Sequence, residues 1–225
     1  YQRRLREREL ATTQLSAQLA HAQVQALRMQ INPHFLFNAM NSISMLVRDK
    51  RPEEAVKTIA GLSDLLRYVL DDASGQEVTL RRELDFIRRY LAIERVRFQD
   101  RLEVSIEASP DTLDSLVPNL LLQPLVENAI RHGISRSASA TTIAITAQAR
   151  GGALELLVQD DGPGLEQESA SRGGTGLGIA NTRKRLRQLY GDQQSLELED
   201  VAPHGAAVRI TLPMHIEPVM NEDEH

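Results

Sequence analysis

The chain contains no cysteine, which removes disulfides, thiolate metal sites and cysteine nucleophiles together and suits a reducing compartment. Tryptophan is absent and aromatic residues reach only 4%, so the stacking platforms used for single-stranded nucleic acids are missing. A net charge of -5 also disfavours direct nucleic-acid binding. No run approaches the ~18 consecutive apolar residues of a membrane span; the richest, Leu116 to Val126, is short and interrupted by Pro118 and Pro124. What is present, 41% hydrophobic and 25% charged residues over 225 positions, is ordinary globular composition. It is enough for one large domain or two small ones.

The average charge hides an asymmetry. Residues 1–51 carry eight Arg and Lys against three Asp and Glu, a balance of +5, which leaves -10 for the remainder. A basic segment of this kind suits the cytoplasmic side of a membrane anchor, and suits a solvated helix face equally well. The chain opens on Tyr1 rather than Met, and is expected to be a fragment whose natural start, with any anchor, lies upstream.

One apolar spacing runs through the first fifty residues. Steps of three and four from Leu5 give Arg8, Thr12, Leu15, Leu19, Ala22, Ala26, Met29, Pro33, Leu36, Met40, Ile43 and Val47. This is a heptad seam, imperfect at Arg8, Thr12 and Pro33. A helix of that length extends roughly 70 Å at 1.5 Å per residue and needs partners to cover its stripe. Arg48-Asp49-Lys50-Arg51-Pro52 reads as a turn, with Pro52 at the start of a second helix. Ala55, Ile59, Leu62, Leu66 and Val69 repeat the spacing there. Two such helices make a hairpin, and two hairpins make a dimeric four-helix bundle; the alternative is a hairpin covered by its own second domain.

Asp71 to Gln76 is a polar break, which places the domains at 1–75 and 76–213, with 214–225 a disordered acidic tail. Leu80 to Phe98 is helical, with Leu84, Ile87, Leu91 and Val96 on one face. Arg101 to Ala108 alternates as a strand does, with Leu102, Val104 and Ile106 on one side. A helix from Asn119 to His132 follows, then strands at Thr142–Ala149 and Ala153–Gln159, a glycine-rich loop, a helix to about Tyr190, and strands near Ser195–Leu198 and Ala207–Leu212. Without strict βαβ alternation this mixture predicts an α+β two-layer sandwich.

Three elements of the second domain carry chemistry. In Asp160-Asp161-Gly162-Pro163-Gly164 a strand ends in a carboxylate followed by residues without Cβ. Backbone can there approach a flat ligand while the acid accepts a hydrogen bond. Gly174-Thr175-Gly176-Leu177-Gly178 opens a helix, where free N–H groups favour phosphate. Neither Gly-x4-Gly-Lys-Ser/Thr nor a complete Gly-x-Gly-x-x-Gly occurs, since Ile179 stands at the last position of the latter. In Leu125-Val126-Glu127-Asn128-Ala129-Ile130-Arg131-His132-Gly133, helical spacing puts Asn128 on one face with Arg131 and His132. A carboxamide oxygen there is a plausible ligand for Mg2+, which keeps water and phosphate ligands.

In this order and spacing, the three elements resemble the N, G1 and G2 boxes of the ATPase superfamily that unites gyrase, MutL and histidine kinases. The resemblance covers Leu80 to Leu212 and implies ATP and Mg2+ as cofactors. Carried over by position, Asn128 ligates Mg2+, Asp160 accepts the adenine amino group, and Gly162 and Gly164 give clearance at the base and the lid hinge. Gly174, Thr175, Gly176 and Gly178 belong to the lid that closes on the phosphates, with Asn181 and Arg185 just beyond it. Arg131 and His132 either face the phosphates or cap their helix. Asp161 stands where Asn is commoner.

The first helix holds Asn32-Pro33-His34-Phe35-Leu36-Phe37-Asn38, odd as plain bundle sequence. An interior proline costs around 3 kcal/mol, and Phe35 and Phe37 lie off the seam. His34 sits one residue off it, about 100° around the helix and open to approach. A local rule broken without compensation marks a functional site. The stretch closely matches the signature of LytS-type sensor histidine kinases. Leu91 to Phe98, Leu121 to Asn128, and Gly178 to Asn181 running into Arg185-Leu186 match as well, so the resemblance spans nearly the whole chain.

That resemblance implies a homodimeric kinase, the cytoplasmic part of a bacterial inner- or plasma-membrane protein. It autophosphorylates His34 from ATP and passes the phosphoryl group to an Asp of a response-regulator receiver domain. The general base has no clear owner, because the residue after His34 is Phe35, and Pro124 stands where many relatives of the wider superfamily carry Glu. Asn38, one turn beyond His34, is expected to orient the ring. Two rivals remain: an ATPase whose hydrolysis drives a conformational cycle with His34 incidental, and a non-catalytic nucleotide-binding scaffold.

Overall fold

The computed structural model describes residues 33–71, 76–136, 141–164 and 176–215. The expected seam from Leu5 to Met29, Gly174, Thr175 and the segment after His215 lie outside the described residues. The chain divides into two compact units between Ser74 and Gly75.

The first unit is a helical hairpin of α1 (Pro33–Arg48) and α2 (Pro52–Asp71). The turn follows from backbone bonding. Lys50 takes a left-handed φ of 59°, the Arg51 N–H reaches the Leu46 carbonyl at 2.9 Å and the Lys50 N–H the Val47 carbonyl at 3.2 Å. This is the six-to-one and five-to-two pairing of a Schellman end. Pro52, which has no N–H to lose, then starts α2, and Arg51 forks onto Glu54 at 2.6 and 2.7 Å.

Burial in the hairpin departs from the expected seam. The face of α1 that is buried comprises Phe35, Ala39, Ser42, Ile43 and Leu46, and that of α2 Ala55, Thr58, Leu62, Leu65 and Val69. The two buried hydroxyls bond back to their own helix, Ser42 to the Asn38 carbonyl at 2.9 Å and Thr58 to that of Glu54 at 2.7 Å. Of the described seam residues of α1 only Ile43 is buried, while Met40 and Val47 are 58% and 61% exposed; on α2 the expected Ala55, Leu62 and Val69 are buried. Ile59 is exposed too, and Leu66 only half-buried. The reason is that α1 carries two adjacent apolar stripes, and a heptad count cannot tell which one its hairpin neighbour takes.

The second unit begins with β1 (Glu77–Thr79) and α3 (Leu80–Phe98). Then come β2 (Leu102–Ala108), β3 (Leu116–Pro118), α4 (Gln123–Arg136), β4 (Thr141–Arg150), β5 (Ala153–Asp160), α5 (Gly176–Tyr190), β6 (Ser195–Asp200) and β7 (Ala206–Pro213). Five strands form one sheet in the order β2-β4-β5-β7-β6. Its buried face carries Ile143, Ile145, Ala147, Leu154, Leu156, Val158, Ile210 and Leu212, at the alternate positions that period-2 side-chain geometry requires. Leu125, Val126 and Ala129 of α4 and Leu186 of α5 are buried in the opposing layer. The architecture is a helical region followed by a mixed-sheet two-layer domain.

Three features differ from expectation. The pair β2–β4 is parallel while the other pairs of the sheet are antiparallel, because α4 serves as the crossover between them. β1 and β3 form a separate two-stranded ladder, too short to show a period. α4 starts at Gln123 rather than Asn119 and runs through Gly133 to Arg136. Beyond Pro213 the chain is still tied down: the Leu116 N–H reaches the His215 carbonyl at 2.7 Å and the Met214 N–H the Gly152 carbonyl at 3.3 Å.

Candidate nucleotide and phosphoacceptor sites

Two separate later segments converge on α4. Along one face of this helix Pro124 and Asn128 stand one turn apart. Gly178, in the first turn of α5, lies against Pro124, with room for a Cβ at 3.6 Å from the Pro124 Cβ. Near the other end of α4, Gly133 meets the segment that follows β5. A Cβ on Gly162 would fall 3.2 Å from the Gly133 Cα and 2.7 Å from Asp160 Oδ1. Asn128, half-buried, thus sits between the two glycine segments on one helix.

At the end of β5, Asp160 is 7% exposed and its Oδ1 accepts the Gly162 N–H at 2.9 Å. Its neighbour Asp161 turns to β4 instead, where Oδ1 accepts the Thr142 N–H at 2.8 Å while its own N–H reaches the Thr142 carbonyl at 3.3 Å. The two adjacent acids therefore do different work, one at the cradle and one locking the loop. Gly164 adopts φ +83°, which an L side chain rarely takes.

Sequence reasoning missed two glycines of this cradle. A Cβ on Gly205, just before β7, would fall 2.3 Å from the Asp160 carbonyl oxygen. Gly133, read as the end of its helix, is instead in mid-helix, because a Cβ there would stand 2.2 Å from Thr141 Cγ2. An isolated glycine inside a helical pattern was the available signal. Of the other candidates, Arg131 is exposed on α4 and Asn181 exposed on α5. Gly176 is the first residue of α5. His132 lies within α4, but its side chain is outside the described residues.

In the hairpin, His34 is exposed in the first turn of α1. The Asn38 amide nitrogen lies 3.2 Å from His34 Nδ1 and 3.5 Å from Nε2, so the one-turn spacing brings the carboxamide to the ring.

The second unit also buries two carboxylates that sequence reasoning did not single out, Glu83 and Glu94. Glu83, 1% exposed, accepts the Leu120 N–H at 2.9 Å and the Leu122 N–H at 2.8 Å. Burial pushes its carboxyl up to about 7, against the pull of those N–H groups and of Arg185. Glu94, 4% exposed, is also raised by burial and next opposed by Arg97, whose Nη1 is 3.5 Å away. Glu127 accepts from Gln123 Nε2 at 2.8 Å and acts electrostatically on Tyr90 and Glu94 of α3. It is therefore directed to α3, about 100° around α4 from Asn128.

A strand-end acid in a glycine cradle, a carboxamide on the facing helix and a glycine-rich helix start together define an ATPase-type nucleotide domain, here preceded by a helical hairpin. Residues 114–216 match the family of histidine kinase-, DNA gyrase B- and HSP90-like ATPases, and residues 22–102 match the histidine kinase family. Together these two matches take in most of the chain, and its homologues are LytS/YesM-type sensor histidine kinases at about 33% identity. It is 33% identical to sensor histidine kinase YesM of Bacillus subtilis (strain 168), over 89% of this chain and 35% of that protein. It is 34% identical to sensor histidine kinase YpdA of Escherichia coli (strain K12), over 93% and 37%. It thus spans little more than a third of the length of these relatives. Among solved structures it is similar to the histidine kinase domain of the Erythrobacter litoralis EL346 blue-light activated histidine kinase. Identity there is 21%, covering 90% of this chain and 96% of that one, at a TM-score of 0.48. No helix among the described residues is long and apolar enough to cross a membrane.

Proposed function

We propose that this chain binds ATP with Mg2+ along α4, transfers the γ-phosphoryl group to His34, and hands it on to an Asp of a response-regulator receiver domain. The observation that carries the reading is the convergence of the Asp160–Gly164 and Gly176–Gly178 segments on the helix of Asn128. The residues suit the group they would hold. A cradle too tight for a Cβ at Gly162 or Gly205 lets backbone approach a flat base, with Asp160 as the acceptor for its amino group. Among the described residues there is no cluster of three or more His, Cys, Asp or Glu for a metal. A divalent ion would therefore be held mainly by phosphate and water, with the neutral Asn128 oxygen as its protein ligand. Held by Asn128, Mg2+ would supply neutralisation of the phosphate charge. The cation Arg131, on the same face of α4 as Asn128, and the N–H groups at the start of α5 are placed for the phosphates. His132, the G2 residues Gly174 and Thr175, and Asn181 are assigned to the same site by position.

The chemistry on His34 balances with the imidazole alone. Neutral His34 attacks with the Nε2 lone pair, the N–P bond forms as the bridging P–O bond breaks, and ADP leaves with the electron pair. The Asn38 amide nitrogen faces the ring; with the carboxamide turned over by 180°, its oxygen would accept Nδ1–H and leave the Nε2 lone pair for attack. It cannot take the proton, which passes to solvent. No carboxylate is assigned as base; general-base help is worth ~10²–10⁴-fold, so its absence slows the transfer without abolishing it.

Homodimerisation belongs to the same reading. Phe37, Met40 and Val47 of α1 and Val56 and Ile59 of α2 are exposed large apolar side chains, a face that a second hairpin would cover as a four-helix bundle. Attachment beside a membrane rests on the basic balance of residues 1–51.

Incubation with γ-labelled ATP tests the proposal. Acid-labile, base-stable label on the protein, absent in His34→Gln, is the expected result. Free phosphate without protein label would overturn it in favour of a conformational ATPase.

A further inference from the structure

The mechanism above leaves one ionic arrangement unused. Arg185 projects from α5 and bridges two distant stretches of backbone. Its Nη1 donates to the Asn119 carbonyl at 2.5 Å and its Nη2 to the Gln76 carbonyl at 3.0 Å. Gln76 is the second residue of its unit. The Asn119 N–H also reaches the Gln76 carbonyl, at 3.1 Å, so the three groups form one knot. A second tie joins the same elements, since the Tyr190 hydroxyl at the end of α5 bonds the Glu77 carboxylate of β1.

The strap that Arg185 grips leads directly to the nucleotide site. Residues 119–122 connect β3 to α4, and Leu122 accepts the Val126 N–H at 3.0 Å in the first turn of that helix. Leu120 is held at φ +58°, a left-handed conformation that is strained for a residue other than glycine. Such strain persists only where the surroundings over-determine it. Here the Glu83 carboxylate holds the Leu120 and Leu122 N–H groups and Arg185 holds the Asn119 carbonyl. The strap is thus fixed through its donors by the Glu83 carboxyl oxygens and through an acceptor by the Arg185 guanidinium. Because α5 starts within the second glycine cluster, a shift of that helix is transmitted by a planar guanidinium to both the strap and Gln76. A lysine, with one point-like ammonium, cannot span both carbonyls in the same way.

We propose that Arg185 is a positioning residue that couples nucleotide occupancy to the entrance of the ATPase unit at Gln76 and to the strap before α4. This rests on the reading of α4 and α5 as the nucleotide site. Amide hydrogen exchange of the whole chain, with and without ADP and Mg2+, tests it in wild type, Arg185→Met and Arg185→Lys. In wild type, nucleotide should slow exchange of Asn119 and Glu77–Thr79 by ~10-fold or more. In Arg185→Met, ADP affinity by calorimetry should stay within ~3-fold while that protection disappears, and autophosphorylation should lose ~10-fold in kcat with KM nearly constant. Arg185→Lys should fall between the two. A purely structural role would instead weaken ADP binding and speed exchange equally with and without nucleotide. Wild-type amides that ignore bound ADP, or an Arg185→Met protein that keeps the full response, would overturn the coupling. If Arg185→Met does not fold, unchanged protection in Arg185→Lys has the same force. Failure of wild type to bind ADP at all would instead remove the nucleotide-site reading beneath it.

Discussion

The hairpin and the sheet unit solve the burial problem in opposite ways. Among the described residues, the hairpin leaves Phe37, Met40, Met45, Val47, Val56 and Ile59 exposed, whereas the sheet unit leaves a single large apolar side chain, Leu198, at the borderline. Two helices have one mutual interface and cannot cover a second stripe; a sheet face roofed by helices closes on itself. Their chemistry differs in the same sense. His34 and Asn38 come from one turn of one helix, while the candidate nucleotide residues are assembled by two later segments meeting α4.

The sharpest way to break that comparison is to disable each unit separately. His34→Gln should abolish acid-labile label entirely and leave ADP affinity unchanged within ~2-fold, whereas Asn128→Ala should lower autophosphorylation by ~10²-fold or more without altering oligomeric state. If His34→Gln weakens ADP binding by tenfold or more, the units are not chemically separable.

Next in size is the exposed stripe. Met40→Glu combined with Val47→Glu should convert dimer to monomer in sedimentation at micromolar concentration, since each charge would have to be desolvated at the interface. An unchanged dimer would move the contact to another face.

Within the sheet unit, Glu83 gives a pH signature. Its carboxyl is raised from 4.5 to about 7 in the folded state, so between those values the native protein binds the extra proton. Its contribution to stability is complete below the unfolded pKa and is lost as pH rises through about 7, a fall of roughly 3 kcal/mol at most. Denaturant unfolding from pH 4.5 to 8 should show this slope in wild type and a flatter one in Glu83→Gln. Equal slopes would show that Glu83 titrates alike folded and unfolded.

The smallest effect is expected at Asn38. Its alanine variant should retain ADP binding and dimerisation but autophosphorylate about tenfold more slowly, the cost of an unoriented ring. A wild-type rate would remove Asn38 from the mechanism.

Legibility followed the range of the interactions concerned. The turn at Arg48–Pro52 was readable because it is set by neighbours within six residues. Strand alternation in β2, the positions of β4, β5 and β7 and the apolar face of α3 were readable because one buried face imposes a fixed period. The short ladder of β1 with β3, the parallel β2–β4 pair and the stripe of α1 that enters the hairpin were not. Each depends on which distant segment arrives alongside, and nothing local records that choice.

The same division runs through the site. Residue types at characteristic spacings identified Asn128, Asp160, the glycine clusters and His34 as candidates, because the chemistry of a carboxamide, a carboxylate, a missing Cβ and an imidazole is carried by the residue itself. Only the folded chain decided that Gly133 and Gly205 had to lack a side chain, and that Glu83 and Arg185 hold one strap between them. Those are facts of steric exclusion and charge burial between segments far apart in sequence. They exist only once the backbone has closed.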